Sequence, residues 1–243
     1  MTDQIQAGPQ DFAIEANRLY KSFNEKVALK EVDFKVAAGE SLAVFGPNGA
    51  GKTTLIKILA SIMNPSSGTV LINGLSARGE AEKVRRQIGV VTHNTFLYNN
   101  LTAFENLDFY RRLYDVPRER ILEVSALVGL QNRLHDYAGI LSRGMQQRLS
   151  IARALLHKPG IILLDEPETG LDQQASDLLW QVLKNNDKEK RTLIMATHSL
   201  ERGLQVADRV VILARGQIVF QGKKPDLDLA GLKQAYKLYT GVI

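Results

Sequence analysis

The sequence predicts an α/β fold in which a parallel sheet is built around a phosphate-binding loop, with a block of helices inserted. Three observations carry this expectation. Gly46-Pro47-Asn48-Gly49-Ala50-Gly51-Lys52-Thr53-Thr54 fits G-x-x-x-x-G-K-[ST] and lies between an apolar run at 41–45 and a helical run at 52–60. Ile161-Ile162-Leu163-Leu164 is an unbroken apolar strand of the kind buried on both faces of a parallel sheet. Between them, residues 101–157 read as nearly all helix.

The elements follow in order. Residues 12–20 alternate patchily and are expected to form an edge strand. Val32-Asp33-Phe34-Lys35-Val36 alternates cleanly, as a half-buried strand does. Ala38-Gly39-Glu40 turns it into the strand before the phosphate loop. Asn64-Pro65-Ser66-Ser67-Gly68 is a strong turn after the first helix, and a strand at 69–72 stops at Asn73-Gly74. A helix at 80–87 and a short strand at 88–91 precede the helical block. Thr102-Ala103-Phe104-Glu105 is a capping box, and its helix should reach about residue 114, before Pro117. A second helix spans roughly 118–128 and ends at Gly129. A third starts behind Ser142, a natural N-cap. Sheet texture then returns at 161–164 and at 192–196, with helices at 173–185 and 199–206. A hairpin about Arg215-Gly216 and an amphipathic stretch at 229–239 complete the chain. The expected organisation is a tail at 1–11, one cassette at 12–222 with its helical part at about 95–157, and a helical tail at 223–243.

Composition bounds the function. At 243 residues and 44% hydrophobic, the chain can bury a full core but is short for two ordinary domains. The lack of cysteine excludes disulfides and thiolate metal sites and suits a reducing compartment. Residues 1–10 are polar without a signal pattern, and no apolar run approaches the ~20 residues that span a bilayer. A soluble, cytoplasmic protein is expected. The net charge of +5 comes from scattered pairs such as Arg85-Arg86 and Arg111-Arg112. This reads as a solvated surface, so no nucleic-acid partner is expected. A mildly basic surface also suits an anionic cytoplasmic membrane face.

The chemistry starts from the phosphate loop. Its glycines let backbone N–H groups approach phosphate oxygens, and the helix start adds unpaired donors. Lys52 can reach β- and γ-phosphates, and the Thr53 hydroxyl can hold Mg²⁺. Asp165 ends a buried strand, where a carboxylate is costly without a cation partner; Mg²⁺ beside Thr53 would be that partner. Glu166, one residue on, is the candidate general base or water-orienting group. His198 follows the strand at 192–196, at the sheet end where open α/β sheets place ligands. Leu141-Ser142-Arg143-Gly144 opens a helix as a second anion site: either a cap alone, or a site for the nucleotide of another copy.

With these residues assembled, the chain resembles the ATP-binding-cassette ATPases, the nucleotide-binding subunits of ABC transporters, from about residue 12 to 222. Gly46 to Thr53 matches the Walker A loop. Leu163-Leu164-Asp165-Glu166-Pro167 matches Walker B with its catalytic glutamate. Leu141-Ser142-Arg143-Gly144-Met145-Gln146-Gln147-Arg148 matches the signature loop, Gly170-Leu171-Asp172 the D-loop, and His198 the switch histidine. The resemblance implies a P-loop core with a parallel sheet, an antiparallel β subdomain and an inserted helical subdomain. It implies ATP and Mg²⁺ as ligands, and Phe23, in preference to Tyr20, as the aromatic that stacks on adenine. It further implies that two cassettes, most simply two identical copies, close head-to-tail. Ser142, Gly144 and Asp172 would then act on the partner's nucleotide, and an isolated monomer would be nearly inactive. A separate integral membrane subunit would carry the cargo, with the cassette peripheral on the cytoplasmic face.

Two departures stand out. Arg143 and Met145 replace a glycine and a glutamine of the family's signature, while Ser142 and Gly144 remain. His93 stands where the family has its Q-loop glutamine. A neutral imidazole there could coordinate Mg²⁺ or hold a water, and a protonated one would repel the metal. Thr92-His93-Asn94 with Leu101-Thr102-Ala103-Phe104-Glu105-Asn106-Leu107 also looks like the haem-exporter ATPase of cytochrome c maturation. General drug- or lipid-exporter cassettes share most of these words. A soluble ATPase of the same family without a transporter is the alternative.

Overall fold

The computed structural model describes residues 12–168, 173–184 and 191–241. Two sheets organise it. The strands β1 (Phe12–Phe23), β2 (Lys26–Ala37), β4 (Ser67–Ile72) and β5 (Leu75–Ser76) form an antiparallel sheet in the order β2-β1-β4-β5. The second sheet contains β3 (Ser41–Phe45), β6 (Ile88–Thr92), β7 (Ile161–Asp165), β8 (Thr192–Ala196), β9 (Arg209–Ala214) and β10 (Gln217–Lys223). Its order is β10-β9-β3-β8-β7-β6; all neighbours are parallel except the β9–β10 hairpin.

The strand at 12–20 is not an edge. β1 pairs with β2 on one side and β4 on the other. Its alternation is patchy because both ladders shift register between Ala16 and Tyr20, where Arg18 takes a left-handed φ of 45°. A bulge inserts a residue and breaks the period of two without removing the strand from the sheet interior. The Arg18 backbone N–H is satisfied by the Asp33 carboxylate at 2.8 Å.

The parallel sheet is buried on both faces, and its side chains alternate between two cores. Leu42, Val44, Ile161, Leu163, Ile194 and Ala196 face the core shared with the antiparallel sheet and helix α1 (Lys52–Leu59). Ala43, Phe45, Ile162, Leu164, Leu193 and Met195 face the core shared with the later helices. These are α3 (Ala103–Tyr114), α4 (Glu119–Leu127), α5 (Arg143–Leu155), α6 (Gln173–Lys184), α7 (Leu200–Val206) and α8 (Leu229–Thr240); a short α2 (Ala81–Arg85) precedes β6. Continuous apolar runs are what such a doubly covered sheet requires.

Local chemistry sets the helix starts. The Thr102 hydroxyl accepts from the Glu105 N–H, and the Glu105 carboxylate accepts from the Thr102 N–H, the reciprocal capping box. Ser142 caps α5 by accepting from the Met145 N–H at 3.3 Å. Helix α8 packs on α7 and on the β9–β10 hairpin, with Leu232 fully buried. The hairpin turn also joins the two sheets: the Gly216 N–H donates to the Ala50 carbonyl at 3.1 Å, and the Gly216 carbonyl accepts from the Lys30 N–H at 2.8 Å.

Candidate active site

The phosphate loop runs from β3 into α1 at the carboxyl end of the parallel sheet. Gly51 caps α1 with a φ of 108°, and a Cβ there would lie 2.4 Å from the Ala28 carbonyl. Both the left-handed backbone and the close approach require glycine. The loop borders a cleft of about 420 Å³ lined by Asn48 to Thr54, Phe23, Lys26, Ala28 and Glu166. Phe23 is 45% exposed at its edge, with the Lys21 ammonium 5.0 Å from its ring centroid.

Lys52 is buried, and its ammonium folds back over the loop, donating to the carbonyls of Gly46 at 2.7 Å and Pro47 at 3.2 Å. Burial pushes this ammonium below the usual lysine range, and the carboxylates of Glu166 and Asp165 push it back up. A cation held by neutral carbonyls between two carboxylates is poised to gain from an anionic ligand.

Asp165 is 2% exposed at the end of β7, and its Oδ1 accepts from the Thr53 hydroxyl at 3.2 Å. Two hard oxygen donors side by side, one a buried carboxylate, fit Mg²⁺. This ion commonly uses one or two protein carboxylates and takes its other ligands from phosphate and water.

Glu166 has a left-handed φ of 49°, and its N–H donates to the Ala196 carbonyl at 2.9 Å. This turn off the strand brings its Oε2 to 2.7 Å from His198 Nδ1, with the histidine 71% exposed. His93 lies beside Asp165, its N–H donating to the Asp165 carbonyl at 3.2 Å, and its side chain is exposed. Ser142 and Gly144 do not line this cleft, and a Cβ on Gly144 would meet nothing within 4 Å. Gly170, Leu171 and Asp172 lie outside the described residues.

One further residue joins the site without having been singled out from the sequence. Gln147 on α5 is buried, and its amide donates to the carbonyls of Thr92 at 3.1 Å and Pro167 at 3.3 Å. It therefore links the helix behind Ser142 to both strand ends. No local sequence signal marks it, because its burial follows from the packing of α5 against the strand ends. On α8, burial raises the Tyr236 phenol above its usual range, and the Glu166 carboxylate raises it further.

A doubly wound parallel sheet with a glycine-rich loop entering a helix defines a P-loop nucleotide-binding protein. The comparisons narrow the class. Residues 29–169 match the family model described as ABC transporter. The ABC transporter ATP-binding protein NatA of Bacillus subtilis is 34% identical over 200 residues, covering 80% of this chain and 81% of that protein. The linearmycin resistance ATP-binding protein LnrL of the same organism is 33% identical over 218 residues, covering 88% and 70%. A Nod factor export ATP-binding protein I from Rhizobium etli is 31% identical over 235 residues, covering 94% and 74%. Among solved structures, the dimeric cassette MJ0796 in a post-hydrolysis state with ADP and Pi superimposes with a TM-score of 0.79 at 30% identity. The superposition covers 87% of this chain and 98% of that one. The chain belongs to the ATP-binding subunits of ABC transporters and is an ABC-type ATPase.

Proposed function

We propose that this chain is the ATP-hydrolysing subunit of an exporter whose cargo path lies in a separate membrane protein, and that it works as a pair of identical cassettes. The observation that carries the reading is that Lys52, Thr53 and Glu166 line one cleft, with Asp165 bonded to Thr53 and His198 to Glu166.

Phe23 stacks on the adenine, and the loop N–H groups with Lys52 hold the β- and γ-phosphates. Residues 46–54 are the cradle. Thr53 and Asp165 hold Mg²⁺, which when bound neutralises charge on the phosphate oxygens. Glu166 orients the attacking water and His198 contacts the γ-phosphate. Ser142, exposed at the start of α5, and the half-buried Gly144 serve the nucleotide of the second copy together with Asp172. The dimeric state of the MJ0796 neighbour supports that pairing. Gln147 ties α5 to both strand ends, so closure of one cassette on another is felt at Asp165 and Glu166.

The membrane subunit has a suitable face to dock on. An apolar groove of about 280 Å³ lies between β6, α3 and α5, lined by Phe96, Tyr110, Tyr114 and Arg153 among others. Its occupant is a short cytoplasmic segment of the membrane subunit, which leaves the cassette peripheral on the cytoplasmic face. No helix among the described residues is long and apolar enough to cross a membrane.

The name of one relative, Nod factor export, favours cargo moved outward, and that of another, linearmycin resistance, agrees with it. A narrower reading, haem export for cytochrome c biogenesis, rests on Thr92-His93-Asn94 with Leu101-Thr102-Ala103-Phe104-Glu105-Asn106-Leu107. Affinity purification from gently solubilised host membranes tests both. A co-purifying integral membrane protein is expected, and one with haem-handling features would favour the narrower reading. Recovery with soluble partners only, in several detergents, would replace the exporter by a soluble ATPase.

A further inference from the structure

Two segments of the site are joined twice. The first junction is the Glu166–His198 contact at 2.7 Å. The second is two residues beyond Glu166 and four beyond His198. There Oε1 of Glu168 lies 3.0 Å from Nε of Arg202 on α7. The same oxygen accepts from the indole Nε1–H of Trp180 at 2.6 Å and from the Ser176 hydroxyl, both on α6. Trp180 and Ser176 are buried, while Glu168 and Arg202 are each 23% exposed. One carboxylate oxygen thus collects three donors from two helices. A partly buried charge satisfied in this way is costly to disturb, because the remaining partner is left unpaired.

Glu168 does not line the cleft, and its bonded oxygen faces α6 and α7. What it does is tie the segment that follows Asp165 and Glu166 to the helix whose leading turn follows His198. The Glu166 backbone is anchored by its N–H bond to the Ala196 carbonyl, whereas the side-chain contact lies at the surface, with the histidine 71% exposed. We infer that the Glu168–Arg202 pair, braced by Trp180, is the strut that positions Glu166 against His198 for ATP hydrolysis. Glu168 and Arg202 are then positioning residues, acting through Glu166 and His198. Trp180 is the chain's single tryptophan, so its fluorescence reports on the strut directly. The inference rests on the proposed roles of Glu166 and His198.

The test measures kcat, KM for ATP, thermal midpoint and Trp180 emission on full-length Glu168→Gln, Arg202→Met and Arg202→Lys, with Glu166→Gln as reference. Misplacing a reacting group by about 1 Å can cost about a hundredfold in rate. Glu168→Gln and Arg202→Met should therefore lose about ten- to a hundredfold in kcat with KM within about twofold. Arg202→Lys should recover most of that loss. Trp180 emission should change in Glu168→Gln, where the charged acceptor of its N–H is removed. Were Glu168→Gln not to fold, Arg202→Met decides. Normal kcat in folded variants alongside an inactive Glu166→Gln would overturn the strut alone. A parallel loss of kcat and thermal midpoint that Arg202→Lys does not rescue would also overturn it, by reducing the pair to a structural role. Full turnover in Glu166→Gln would instead overturn the site reading, and the strut with it.

Discussion

Oε2 of Glu166 and Nδ1 of His198 lie 2.7 Å apart, although 32 residues separate them and each leaves the end of a different strand. Parallel pairing of β7 with β8, with Asp165 opposite Ala196, is what brings the two ends together. Replacing the carboxylate removes both the water-orienting acceptor and the partner of the imidazole. Glu166→Gln is expected to lower kcat by about 10²–10⁴-fold, the usual range for a positioned acid or base. ATP affinity should be retained, so an ATP-bound dimer should accumulate in size-exclusion chromatography. Normal hydrolysis would remove Glu166 from its proposed role.

Lys52 separates binding from chemistry. Its ammonium is held by the carbonyls of Gly46 and Pro47, and a charged hydrogen bond is worth about 1.5–3 kcal/mol. Lys52→Met should weaken ATP binding by at least about tenfold in titration calorimetry. Thr53→Val should leave metal-free nucleotide binding nearly intact and abolish the gain from added Mg²⁺. A gain equal to that of the parent chain would exclude Thr53 as a metal ligand.

Ser142 has two separable roles. As the cap of α5 it accepts the Met145 N–H, a contact worth about 1 kcal/mol. Ser142→Ala should lose about that much stability in urea unfolding. Ser142→Asp keeps a capping acceptor but puts a negative charge where a second copy's γ-phosphate would sit. Stability near that of the parent chain with turnover lost is expected for Ser142→Asp. Full turnover would leave Ser142 as a cap only.

His157 gives the protein a pH dependence away from the cleft. Burial drives its imidazole from 6.5 to about 4; the Ile88 carbonyl opposes the shift, and Arg153 and Arg86 add to it. Its ring stacks on Tyr114 at 4.0 Å, and its Nδ1 is buried without a hydrogen-bond partner. Above about 6.5 the ring is neutral folded or unfolded and contributes no slope. Between there and about 4 only the unfolded chain takes up the proton, so stability falls as pH falls, by at most about 3 kcal/mol. Below about 4 the loss levels off. Urea midpoints from pH 7.5 to 4 should show this fall, and His157→Phe should flatten it. An unchanged slope in the variant would assign the fall to other groups.

Much of the fold was legible where a local rule suffices. The phosphate loop, the apolar strand at 161–164, the Thr102–Glu105 box and the Ser142 cap are each specified within a few residues. Most helices and strands lie within a few residues of their expected places, but β2 begins at Lys26, six residues before the expected strand at 32–36, and β5 (Leu75–Ser76) was not expected. What was not legible depends on partners distant in sequence. The bulge at Arg18 disguised an interior strand as an edge, because a single extra residue breaks the alternation used to judge burial. Gln147, Tyr236 and the Glu168–Arg202 pair acquire their surroundings only when helices pack against strand ends, and no short-range pattern marks those contacts. The tilt of Glu166 toward His198 belongs to the same class, since it follows from a left-handed backbone on an acidic residue.

Gly216 bonds the phosphate loop through Ala50 and the antiparallel sheet through Lys30. The loop's shape is therefore co-owned by three stretches of chain, near residues 30, 50 and 216. A chimera that grafts only residues 41–60 from another cassette would transplant the motif without its buttress. Recombination crossovers that keep the hairpin turn, the Lys30 strand and the loop from one parent should be tolerated far better than crossovers that divide them.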